Sequence, residues 1–122
     1  MMERIVVPVL EKMGEASPIS PHFGRAPYFA IAEVEEGIWQ LEFKDNTSSH
    51  FGGGERPPNI LLSFKPDVVI TVGMGPRAIR IFQAAGVAVL QAQANTLGEV
   101  LIAFTRNELR ELTEGCRDAR HK

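Results

Sequence analysis

A chain of 122 residues, 44% hydrophobic and 23% charged, is sized and composed for one globular domain with a substantial core. Its net charge of −2, without a basic block, argues against a general nucleic-acid or acidic-membrane binder, and a single cysteine, Cys116, rules out an internal disulfide and a cysteine-only metal cage. No apolar run approaches the ~20 residues of a membrane span, and Met1-Met2-Glu3-Arg4 leads straight into a strand rather than a signal peptide, so the cytoplasm is the expected compartment.

Ile5 to Val9 reads as a first strand, with Pro8 near its end, where a missing donor is tolerated. Residues 10–27 form a long loop, because Gly14, Pro18, Pro21, Gly24 and Pro27 oppose regular structure. Tyr28 to Val34 is a second strand, Glu35-Glu36-Gly37 a tight turn, and Ile38 to Lys44 its hairpin partner, with Trp39, Leu41 and Phe43 alternating against Gln40, Glu42 and Lys44. A second loop, 45–55, contains DNTSSHFGGGE.

Pro57 and Pro58 suit the first turn of a helix whose buried face is Ile60, Leu61 and Phe64 and which stops at Lys65-Pro66. Val68 to Val72 is a β-branched run, the composition of a strand buried on both faces. Gly73-Met74-Gly75 breaks it, and Pro76 opens a helix along which Ala78, Ile81, Phe82 and Ala85 recur at helical spacing, with Gly86 as the residue after its end. Val87 to Gln91 is a fifth strand. Thr96-Leu97-Gly98-Glu99 and Thr105-Arg106-Asn107-Glu108 both spell a capping box, so two short helices are expected, anchored by Leu97, Val100, Leu101 and Phe104 and by Leu109 and Leu112. Residues 116–122 read as a frayed tail to a single domain over 1–115.

The order β-β-β-α-β-α-β-α-α implies an α/β fold, a mixed five-stranded sheet with helices on its faces. If the second strand is antiparallel to its neighbours, the other four run one way, and their carboxyl ends gather loops 10–27, 45–56, 73–77 and 92–95. Ligands of open α/β sheets bind at such an edge. Of the 11 glycines and 8 prolines, 13 fall in the windows 14–27, 52–58 and 73–76, so the glycine-rich loops converge there.

Two of these loops carry the same tripeptide, His22-Phe23-Gly24 and His50-Phe51-Gly52, each with an arginine nearby, Arg25 and Arg56. Neutral imidazole ligates iron, copper or zinc, and adjacent arginines favour an anionic metal complex, so His22 and His50 are the candidate metal contacts. The competing reading makes both histidines solvated loop residues and both phenylalanines plugs onto the core. Gly73, Gly75, Pro76 and Arg77 form a candidate anion pocket of helix-start amides and one charge, though a tight turn that binds nothing would call for the same glycines. The stretch lacks the third glycine of a dinucleotide fingerprint and the Lys-Ser/Thr of a P-loop. Ile5 to Val9 and Val68 to Val72 carry no carboxylate for a metal-dependent nuclease, and no serine sits at a strand-to-helix elbow, so the chain is read as non-enzymatic.

Three stretches carry a resemblance over almost the whole chain: Ser20-Pro-His-Phe-Gly-Arg-Ala-Pro-Tyr-Phe29, the His50 loop with Gly52-Gly53-Gly54, and Asp67-Val-Val-Ile-Thr-Val-Gly-Met-Gly-Pro-Arg-Ala78. The chain resembles the dinitrogenase iron–molybdenum cofactor biosynthesis family of nitrogenase cofactor carriers and the orange protein. That resemblance implies a ribonuclease-H-like fold without nuclease activity. It also implies a carrier role, related to nitrogen fixation, for an anionic metal–sulfur cluster of iron–molybdenum type or its precursor, with cofactor-donor and acceptor proteins as partners. His22 occupies the position of the family's candidate cluster contact. The alternative is a regulatory module that binds an anion or phosphorylated metabolite and acts through a protein partner. Monomer and dimer are both open.

Overall fold

The computed structural model describes residues 2–46 and 57–112. Its strands are β1 (Glu3–Val9), β2 (Tyr28–Glu35), β3 (Ile38–Asp45), β4 (Val68–Thr71) and β5 (Ala88–Gln91); its helices are α1 (Pro57–Ser63), α2 (Pro76–Ala84) and α3 (Leu97–Thr105), with a 3-10 turn at Gly14–Ala16 inside the first long loop. The sheet order is β3-β2-β1-β4-β5. β2 is antiparallel to both β1 and β3, whereas β4 is parallel to both β1 and β5. Hence β1, β3, β4 and β5 point the same way, and the expected loops do leave from one edge.

The period-2 alternation of β1 and β4 divides the core between the two faces of the sheet. Ile5, Val7 and Val9 of β1 and Val68 and Ile70 of β4 join Leu97, Val100 and Leu101 of α3 in one cluster. Val6 and Val69 point the other way, into a cluster with Phe29, Leu61, Ile79 and Phe82. Residues 5–9 of β1 and 68–70 of β4 are uninterrupted apolar runs because both faces of the sheet are covered there. β3, at the edge, alternates half-buried Trp39, Leu41 and Phe43 with exposed Gln40, Glu42 and Lys44, as its sequence alternation requires.

Local signals decide the ends of the elements. Glu36 and Gly37 both take positive φ, 52° and 79°, the two-residue turn whose twist suits a hairpin. α2 ends in a Schellman motif: Gly86 sits at φ 79°, its amide donates to Gln83 O, and Val87 N–H reaches back to Phe82 O. α3 opens with the expected capping box, Thr96 Oγ1 accepting from Glu99 N–H and the Glu99 carboxylate accepting from Thr96 N–H.

The second C-terminal helix expected from Thr105-Arg106-Asn107-Glu108 is not formed over the described part of that stretch. Asn107 takes φ 59° as the left-handed residue closing α3; its amide donates to Phe104 O, and Glu108 N–H donates to Ala103 O. The same letters therefore terminate one helix instead of starting another. The chain then runs along the outer side of β5, bridging Leu90 to Glu111, with Gln91 N–H on Arg110 O and Leu112 N–H on Val89 O, both 2.7 Å. Covering a sheet edge satisfies backbone groups that a short exposed helix would leave to water. Leu112 is nonetheless buried in the core, and Leu109 packs half-buried against it.

Candidate functional site

The first long loop is less free than its glycines and prolines suggest. Its 3-10 turn is closed by Ser17, which is fully buried and whose Oγ accepts from Met13 N–H and donates to Gly14 O. Ile19 bridges to Val9 and Pro18 to Thr96, while Ile19 N–H donates to Asn95 O and Leu97 N–H to Ser17 O. A Cβ on Gly98 would lie 3.1 Å from Glu15 Cβ, so this glycine allows the start of α3 to approach the 3-10 turn closely. The loop is thus stitched by backbone to the end of β1 and to the segment after β5.

Residues 20–27 follow from that anchor. Ser20, 1% exposed, folds its hydroxyl over the next turn, donating to His22 O at 2.9 Å and accepting from His22 N–H at 3.2 Å. Phe23 and Ala26 are buried, whereas His22 and Arg25 are exposed. Phe23 meets Phe82 of α2 edge-on at 5.8 Å and Phe29 of β2 at 6.5 Å. A buried Phe23 plug beside an exposed His22 is the arrangement the competing reading gives for this loop. Among the described residues, the His22 imidazole and the Arg25 and Arg77 guanidinium groups have no hydrogen-bond or ion-pair partner.

The turn between β4 and α2 changes one sequence-based argument. Positive φ among the described glycines occurs at Gly14, Gly37 and Gly86 only, and a Cβ at Gly73 or Gly75 would meet nothing within 4 Å. Among the described residues, neither backbone conformation nor packing demands glycine at either position. Gly75 is the N-cap of α2 with extended φ and ψ and no side-chain cap, Pro76 is the first helical residue, and the first intrahelical bond is Ile79 N–H to Gly75 O. Among the described residues the amides of Arg77 and Ala78, which precede that bond, find no capping side chain. At the same sheet edge α3 has its own cap and α2 does not.

Sequence reasoning missed Asn46. It is 1% exposed just past β3, and its Nδ2 donates to Gly24 O at 3.2 Å and Ala26 O at 2.7 Å. In the sequence it reads only as part of a polar loop, since nothing local tells a buried asparagine from a solvated one. His50, Phe51, Gly52 and Arg56 lie outside the described residues, as do Cys116 and the tail. The structure joins the His22 loop to α2 through Phe23 and to the end of β3 through Asn46. Among the described residues no group of three or more His, Cys, Asp and Glu could hold a metal ion.

Residues 4–107, nearly the whole described fold, match the family described as dinitrogenase iron-molybdenum cofactor. The chain belongs to that family. An uncharacterised protein of Methanocaldococcus jannaschii is 30% identical over 94 residues, covering 75% of this chain and 80% of that one. The apo form of the orange protein from Desulfovibrio gigas superposes with TM-score 0.76 at 28% identity, over 92% of this chain and 94% of its own. A Thermotoga protein solved by NMR gives TM-score 0.71 at 31% identity, over 91% and 94%. Family membership supports a non-catalytic, cofactor-associated role.

Proposed function

We propose that this chain is a carrier for an anionic metal–sulfur cluster of iron–molybdenum type, or its precursor, taken up as cargo on the carboxyl edge of the sheet and passed between donor and acceptor proteins. The observation that carries this reading is the β4–α2 turn. Among the described residues, a Cβ at Gly73 or Gly75 would meet nothing within 4 Å and no side chain caps the start of α2, which supports an acceptor at the amides of Arg77 and Ala78. A bulky anion fits such a surface, because it brings its own inorganic ligands and needs few from the protein. Arg25 and Arg77 supply charge, and the exposed His22 imidazole supplies one metal contact. His50 is the second metal candidate, on the resemblance of its loop. The role asks for no general base or nucleophile.

The test is anaerobic reconstitution with ferrous iron, sulfide and tetrathiomolybdate, followed by gel filtration, metal analysis and an absorption spectrum. Coloured protein with bound molybdenum is expected, and His22→Ala should lower retention and alter the spectrum. Unchanged affinity and spectrum in His22→Ala would remove the histidine from the ligand set. The same amides and Arg77 also suit a phosphorylated metabolite. Thermal stabilisation by a metal-free phosphate compound, abolished in Arg77→Ala, would replace the carrier with an anion-responsive regulatory module.

A further inference from the structure

Asn46 stands one residue beyond β3, buried, and spends its side-chain amide on two carbonyls of another loop. Those carbonyls belong to Gly24 and Ala26, the residues on either side of Arg25. Its own backbone N–H donates to Pro27 O at 2.9 Å, so three donors of one residue fix the stretch 24–27. Ser20 fixes the other end with its two bonds to the His22 backbone. Between these clamps, buried Phe23 and Ala26 alternate with exposed His22 and Arg25.

The chemistry of the clamp is selective. Two carbonyl oxygens converging on one side chain require a group with two N–H donors and a short stem, which asparagine supplies. Aspartate has the same shape but presents only oxygen to them, turning two attractions into repulsions. A buried amide of this kind would serve stability alone if the loop carried nothing. Here it holds the backbone from which both exposed polar groups of the loop project.

We infer that Asn46 is a positioning residue of the cargo site, setting where Arg25 and His22 stand without touching the cargo itself. This rests on the carrier reading of that edge. Groups that orient a ligating side chain carry roughly ten- to hundred-fold in affinity when removed, although they make no contact with the metal.

The experiment compares Asn46→Asp and Asn46→Ala with Val34→Ala, a core truncation near the opposite end of β2 that serves as a stability control. Uptake of tetrathiomolybdate with ferrous iron is titrated anaerobically, and melting temperatures are measured for all three. The expected result is a loss of about ten-fold or more for Asn46→Asp with a changed absorption spectrum, and unchanged uptake and spectrum for Val34→Ala at equal or greater thermal destabilisation. Wild-type affinity in Asn46→Asp, or a loss no larger than in Val34→Ala, overturns the assignment. The cargo-free proteins are also compared by NMR through the contact between the Phe23 and Phe82 rings, expected to be weakened in both Asn46 variants and intact in Val34→Ala. If the wild type takes up no probe, the carrier reading fails, and the NMR comparison judges the loop clamp by itself: an intact ring contact in Asn46→Asp overturns it.

Discussion

His22 and Phe23 are adjacent and have opposite surroundings, and the second decides what the first can do. Phe23 is 8% exposed and packs on Phe82 and Phe29, so its truncation opens a cavity among rings that cannot close over it. Phe23→Ala should cost about 3–5 kcal/mol of unfolding free energy, near the value for a fully buried aromatic. Chemical denaturation checks this, and a cost below about 1 kcal/mol would mean that the loop lies off the core in solution. Phe23→Leu should recover most of the stability. The burial of Phe23 beside exposed His22 and Arg25 was legible only as the competing reading of this loop, because a phenylalanine in a polar stretch suits a core plug. The sequence could not show Asn46, whose partners lie 22 and 20 positions away and whose local context is simply polar.

At the scale of elements, short-range signals were legible and long-range ones were not. The hairpin turn, the cap at Thr96 and the close of α2 at Gly86 are spelled by residues within one turn of each other, and all three form as read. Thr105 to Glu108 has the spelling of a helix start, but its geometry is settled by the uncovered side of β5, which the segment can pair with only after the sheet exists. Because Asn107 must hold φ 59°, Asn107→Val should destabilise by about 1–2 kcal/mol, whereas Asn107→Gly should be close to neutral; thermal melts of the pair test the assignment. The start of α2 gives the reverse case. Gly75→Ser places a hydroxyl at an uncapped N-cap, so stability should hold or rise by a few tenths of a kcal/mol. If the open turn receives an anion, the same hydroxyl competes for the amides and affinity falls. A variant as stable as the wild type that binds tetrathiomolybdate equally well would detach the turn from the site.

For the whole molecule, parallel direction matters more than any loop. β1, β3, β4 and β5 share one sense, so segments far apart in sequence leave the same edge; element order gave this on the condition that β2 is antiparallel to both neighbours, which the pairing meets. Charge then sets a sharper condition on the cargo. The chain carries a net −2, so an anion gains nothing from the field of the molecule as a whole, and on the proposed carrier reading the attraction falls to Arg25, Arg77 and the α2 amides at short range. At about 0.01 M salt the Debye length is roughly 30 Å and the whole chain's charge is felt; at about 1 M it is roughly 3 Å and only near-contact pairs survive. Long-range repulsion and local attraction therefore respond to salt with opposite sign. If Arg25 and Arg77 hold the anion as proposed, they stand closer to it than the scattered carboxylates do, and tetrathiomolybdate affinity should fall as salt rises. In Arg25→Gln/Arg77→Gln the local term is removed and the slope should flatten or reverse, while the amides retain a weak residual site. An unchanged slope in the double variant would exclude both arginines from the cargo surface and leave the α2 amides to hold it.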